Sequence, residues 1–170
     1  MAGVAPAPRA ACQDLSSLAK PPELVEPDPR WQLLHGDRAA LEQIAAQWPT
    51  SAKVPGEIAE MLRVARDLLV HSYFVYEFGA VAVAWSLIAV EAALRNRVAD
   101  EASEREPLAR VISKAEELGL LRADEVVALD AARKFRNSLA HAKGQSVFSL
   151  GMVAPMLAVA HEIVVNLYER

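Results

Sequence analysis

The chain has 170 residues, of which 53% are apolar and 24% charged, with a net charge of -4. That length suits one domain, and the acidic total excludes a general nucleic-acid coat, whose whole surface would be basic, while leaving room for a local basic cleft. The single cysteine, Cys12, excludes an intrachain disulfide framework and a zinc site built on several thiols.

Residues 1–30 are rich in Ala and Pro and poor in large apolar side chains. They bury too little surface to offset chain entropy, which predicts a disordered leader. The N-terminus has neither the charged region nor the apolar run of a secretory signal. Residues 31–50 predict a short accessory helix, an adornment capped by Asp37, running through Leu41, Ile44 and Ala45 to Trp48 and ended by Pro49.

The main body, residues 57–170, predicts an all-α, antiparallel four-helix bundle. Ile58, Met61, Leu62, Ala65, Leu68 and Leu69 recur at helical spacing, with Glu57, Glu60, Arg63, Arg66 and Asp67 between them. The aromatic stretch 73–79 is a place for the helix to bend or break. Residues 80–90 are apolar almost all round, as in a buried central helix. Val81–Val90 is too short to span a membrane, and Glu91, Arg95 and Arg97 follow at once, so no membrane partner and a cytoplasmic location are expected. Pro107 suits the first turn of a helix with the stripe Leu108, Val111, Ile112, Ala115 and Leu118, closed by Gly119 in a left-handed cap. Asp124 is the expected cap of the next helix, with Ala128, Ala131, Ala132, Phe135 and Leu139 facing inward. A final helix spans about 151–168.

The segment Lys134-Phe135-Arg136-Asn137-Ser138-Leu139-Ala140-His141 carries the chemistry. Arg136, Asn137 and His141 stand late in a helical bundle, after an apolar helix ending in Glu91 and Arg95 and a Pro107-Leu-Ala-Arg-Val-Ile segment with a Gly-Leu-Leu turn. In this pattern the chain resembles the HEPN domains, whose signature is Arg, a polar residue, three more residues, then His. The resemblance covers roughly residues 57–168. It implies a homodimer in which two motif helices line one cleft. It also implies metal-independent endoribonuclease activity of the kind found in toxin–antitoxin and antiviral systems, with RNA as substrate and a cognate antitoxin or regulatory protein as a further partner. Other members of the family are non-catalytic modules that bind RNA, nucleotide or protein.

Residue chemistry agrees with that implication. RNA carries its own nucleophile, the 2′-hydroxyl, so neither metal nor cofactor is required. His141 titrates near neutrality and is suited to moving protons. Arg136 is a permanently charged fork that matches phosphate oxygens. Asn137 either donates to phosphate or holds His141 in one tautomer. Asn137 and His141 share a helix face, whereas Arg136 and His141 lie about 140° apart at roughly 100° per residue. The helix must therefore end or bend near His141, or one group must come from a partner subunit.

No acidic residue lies between Asp130 and Glu162, whereas Arg133, Lys134, Arg136 and Lys143 all do. Arg133, Lys134 and Lys143 are accordingly the expected RNA-binding residues; the alternative is a solvated basic helix face. Glu91 either orients Arg136 or His141, or pairs with Arg95 one turn on. His35, His71 and His161 lack a second ligand at metal spacing, and His161 is read as a packing residue. The aromatics Tyr73, Phe74, Tyr76, Phe78 and Trp85 are read as core rather than a stacking platform.

Overall fold

A computed structural model of the chain describes residues 26–33, 37–99, 106–140 and 149–170. Among them it is all-helical, with α1 (Pro29–Leu33), α2 (Arg38–Ala46), α3 (Gly56–His71), α4 (Phe78–Arg97), α5 (Leu108–Glu117), α6 (Ala123–Ala140) and α7 (Leu150–Glu169). The five helical stretches expected in the main body are α3–α7, of which α5 is the shortest, and the helical bundle expected there is present.

Helix α4 is the hub, packing chiefly on α3 and α7. Its small residues Ala82, Ala89 and Ala93 are fully buried, which lets neighbouring helices approach closely. A short turn reverses the chain between α3 and α4, at the aromatic stretch where a break was expected. Gly79 lies against Val153, and Tyr168 donates its hydroxyl to Asn96 Oδ1 at 2.8 Å, so α4 and α7 run side by side in the same sense. The long helices alternate in direction along the chain. Glu125 at the start of α6 meets Asn166 and Arg170 at the end of α7, while Arg136 near the end of α6 reaches back to Glu91, so successive helices α3, α4, α6 and α7 run antiparallel as expected.

The N-terminal elements are more than adornment. Trp31, Leu41, Ala45 and Trp48 join Ala65, Leu69, Val83 and Leu157 in one buried cluster. Trp31 is 3% exposed and its indole N–H donates to the Ser72 carbonyl at 2.6 Å, while Asp28 N–H donates to the Tyr73 carbonyl. The expected leader therefore stops short of residue 30: Asp28 to Arg30 are tied to the α3–α4 turn, and residues 1–25 lie outside the described residues. Two tryptophans supply enough apolar surface to dock short helices that would not be stable alone.

Several local expectations are met. Asp37 caps α2, its Oδ1 accepting from Ala40 N–H at 2.7 Å. Gly119 follows α5 with φ +69°, where a side chain would be strained. Pro107 stands one place before the first residue of α5 rather than within its first turn. Asp124 does not cap α6. Glu125 does that work, its Oε2 accepting from Arg122 N–H at 2.8 Å, as in the acidic half of a capping box.

The two longest helices, α4 and α7, are also long and apolar enough to cross a membrane by length and composition alone. The expected apolar run of 81–90 was shorter than the helix that contains it. Core helices of a soluble bundle pass the same test, and both of these carry much of the buried core.

Candidate functional site

Helix α6 positions the motif. Its buried edge is Glu125, Leu129 and Ala132, not the expected series through Ala128 and Ala131. Those two alanines, with Ala132 and Phe135, instead line one side of an open apolar groove of about 370 Å³. Its other side is Pro155, Met156 and Val159 of α7, over Leu87 and Val90 of α4. The inward stripe is rotated because Glu125 is drawn in: Asn166 donates to its Oε1 at 3.0 Å, and Arg170 donates to both oxygens at 2.9 and 3.0 Å. Burial pushes this carboxyl up, but these donors outweigh it and hold the group below its ordinary range.

At the other end of α6, Arg136 reaches back to α4. Its Nη1 donates to Glu91 Oε2 at 2.9 Å. The second carboxylate oxygen, Glu91 Oε1, accepts from Arg95 Nε at 3.1 Å and Nη2 at 2.8 Å. Arg95 Nη2 also donates to the Glu106 carbonyl at 2.9 Å, tying the end of α4 to the entry of α5. Both alternatives for Glu91 are thus realised geometrically: one oxygen serves Arg95 and the other serves Arg136. Burial raises the Glu91 carboxyl, and the two guanidinia more than reverse this, leaving it below its usual value and charged at neutral pH. A cavity of about 10 Å³, room for one water, lies against Glu91, Arg133 and Arg136 over Leu94, Leu108 and Ile112.

The remaining site residues divide. Arg133 bonds Asp130 at 3.2 Å, a pairing the basic-run argument did not anticipate. Lys134 and Asn137 are exposed on α6. His141 and Lys143 lie outside the described residues; among those described, the structure brings together Arg136, Glu91 and Arg95. Among the described residues no group of His, Cys, Asp or Glu is placed to hold a metal.

His161 is a packing residue. It is fully buried, its ring 4.9 Å from Trp48, with Nδ1–H donating to the Leu157 carbonyl and Nε2 accepting from Arg66 Nε at 3.1 Å. Burial, with Arg66 beside it, pushes its pKa down to about 4, so it is neutral. The aromatic stretch also divides. Tyr73 and Tyr76 close on Trp31 as core, whereas Trp85 is 37% exposed on α4.

Sequence reasoning missed Glu125. Its signal was the carboxylate three residues after Arg122, at the start of an apolar run, which marks a helix N-terminus. No family model matches the chain, and neither a curated protein nor a solved structure matches it.

Proposed function

We propose that the chain is a HEPN-like, metal-independent endoribonuclease that acts on RNA as a cytoplasmic homodimer, in the manner of a toxin or antiviral defence effector. The observation that carries this reading is Arg136, held by Glu91 of an earlier helix while 36% of its side chain stays open to solvent. A guanidinium fixed on one edge and accessible on another is prepared for a phosphate.

In the proposed reaction the 2′-hydroxyl attacks the adjacent phosphorus and the bond to the 5′-oxygen breaks. His141 takes part in moving the proton from the 2′-oxygen and delivering one to the 5′-oxygen, the second role falling to the partner's motif. Arg136 offsets the charge gathering on the non-bridging oxygens. Arg133, Lys134 and Lys143 draw in the backbone, and Asn137 binds phosphate or orients His141. The products are a 2′,3′-cyclic phosphate and a 5′-hydroxyl.

A second reading, a non-catalytic module that binds RNA, nucleotide or a protein partner, draws support from a specific feature: Glu91 engages both Arg136 and Arg95, as a purely structural tie between α4 and α6 would. Cleavage of total RNA by purified protein in excess chelator separates the two. The nuclease reading requires cyclic-phosphate ends, no cutting of DNA, and a loss of about 10²–10⁴ in rate for His141→Ala. Arg136→Lys is expected to be severe as well, since a point charge does not reproduce the fork. Wild-type protein that cuts no RNA, while Arg136→Ala weakens RNA or partner binding, replaces the enzyme with the module.

A further inference from the structure

Helix α4 turns Val81, Trp85 and Ile88 outward, and the half-buried Arg95 follows them on the same side two turns on. Their spacing of four, three and seven residues sets them on one stripe. Val81, Trp85 and Ile88 are exposed at 46, 37 and 41%. The chain has three tryptophans, and the other two, Trp31 and Trp48, are buried in the core. Trp85 therefore stands apart: more than a third of a large aromatic side chain faces water on the helix that packs at the centre of the molecule.

The stripe leads to the candidate site. Arg95 is its last member, and Arg95 and Arg136 share the single carboxylate of Glu91, so these three groups sum to a net charge of +1. Helix rise separates Trp85 and Arg95 by about 15 Å along the axis, at roughly 1.5 Å per residue. That is within the span of a few nucleotides of an extended strand. An aromatic face followed by guanidinium charge along one helix matches the alternation of base and phosphate in a single strand, and it does so without regard to sequence. Paired bases are hidden in a duplex stack, so the match is to unpaired RNA.

We propose that Trp85 is a base-stacking residue for single-stranded RNA whose backbone lies on the Arg95–Arg136 cluster. This rests on the RNA-directed reading of the site, and it adds substrate class: a strand with an unpaired base a few nucleotides from the bound phosphate. Trp85 is a binding residue here, remote from the reacting atoms.

Tryptophan emission reads the contact directly, because Trp31 and Trp48 are shielded. Full-length His141→Ala protein, used so that no strand is cut, is titrated in chelator with oligoadenylate and with an abasic ribose-phosphate strand of equal length. Oligoadenylate should quench the emission and the abasic strand should not. Trp85→Phe should lose the quench and keep affinity within about 3-fold, since a smaller ring still stacks. Trp85→Ala should weaken oligoadenylate binding about 5-fold to 100-fold and leave binding of the abasic strand unchanged.

Quenching by oligoadenylate in a protein that proves unable to cut RNA supports the stacking residue and sinks the nuclease. Unchanged oligoadenylate affinity in Trp85→Ala, with no quench in the parent, overturns stacking and leaves the nuclease standing. A parent that binds no RNA overturns both. Light scattering on Trp85→Ala without RNA supplies the remaining control: dissociation of a dimer would give the stripe to a second copy of the chain and overturn the proposal.

Discussion

Removing the charge of Glu91 tests the electrostatics on which the site is built. Glu91→Gln keeps the shape and deletes the carboxylate that Arg95 and Arg136 share. At about 3 Å and an effective dielectric near 20, each contact is worth about 5 kcal/mol gross. The side chains are partly open, at 21% for Glu91, 29% for Arg95 and 36% for Arg136, so water already compensates most of that. A net loss of about 1–2 kcal/mol is expected, read as a fall in the urea midpoint at constant slope. A double-mutant cycle with Arg136→Gln should return a coupling of about 0.5–1 kcal/mol. The pH dependence has a definite sign. The folded carboxyl titrates below its ordinary 4.5, so the stabilisation is fully present above that pH and fades as pH falls through the lower folded value. Wild type and Glu91→Gln should therefore converge in stability in acid. A coupling under about 0.3 kcal/mol, or a gap between the two proteins that ignores pH, would refute the shared-carboxylate account. If RNA cleavage follows Arg136, the same variant should also lose activity, since the guanidinium is no longer held in place.

Two further predictions concern the scaffold. His161, with a folded pKa of about 4 against an ordinary 6.5, is neutral when buried, so the unfolded chain binds the extra proton between those values. Its contribution is complete above pH 6.5 and is lost as pH falls toward 4, about 3 kcal/mol across that window. An imidazole resonance titrating near 6.5 in folded protein would contradict this. Glu125→Ala strips the acceptor from Arg122 N–H, Asn166 and Arg170 at a nearly fully buried position, and a loss of about 2–4 kcal/mol in urea denaturation is expected. A loss below about 0.5 kcal/mol would show that α6 is anchored elsewhere.

What the sequence determined by itself is whatever depends on near neighbours along the chain. Helical periodicity placed α3 on Ile58, Leu62, Ala65 and Leu69, all of them buried. Asp37, Gly119 and the break after His71 were legible because caps, left-handed turns and aromatic interruptions act over three or four residues. The Glu91–Arg95 pair was legible for the same reason, being one helical turn long. Only the tertiary structure decided what requires two distant segments to meet. It brought Arg136 across 45 residues to Glu91, and Trp31 across 41 to the Ser72 carbonyl. It also chose which side of each apolar helix faces water. Helix α4 is so uniformly apolar that no periodicity in its sequence marks a preferred face, and so Trp85 looked like core until neighbours on the opposite side covered Ala82, Ala89 and Ala93 instead. Helix α6 was misread by a small rotation because Glu125, a charged residue, sits inside. A carboxylate is buried only where donors await it, and two of its three, Asn166 and Arg170, come from the far end of the chain.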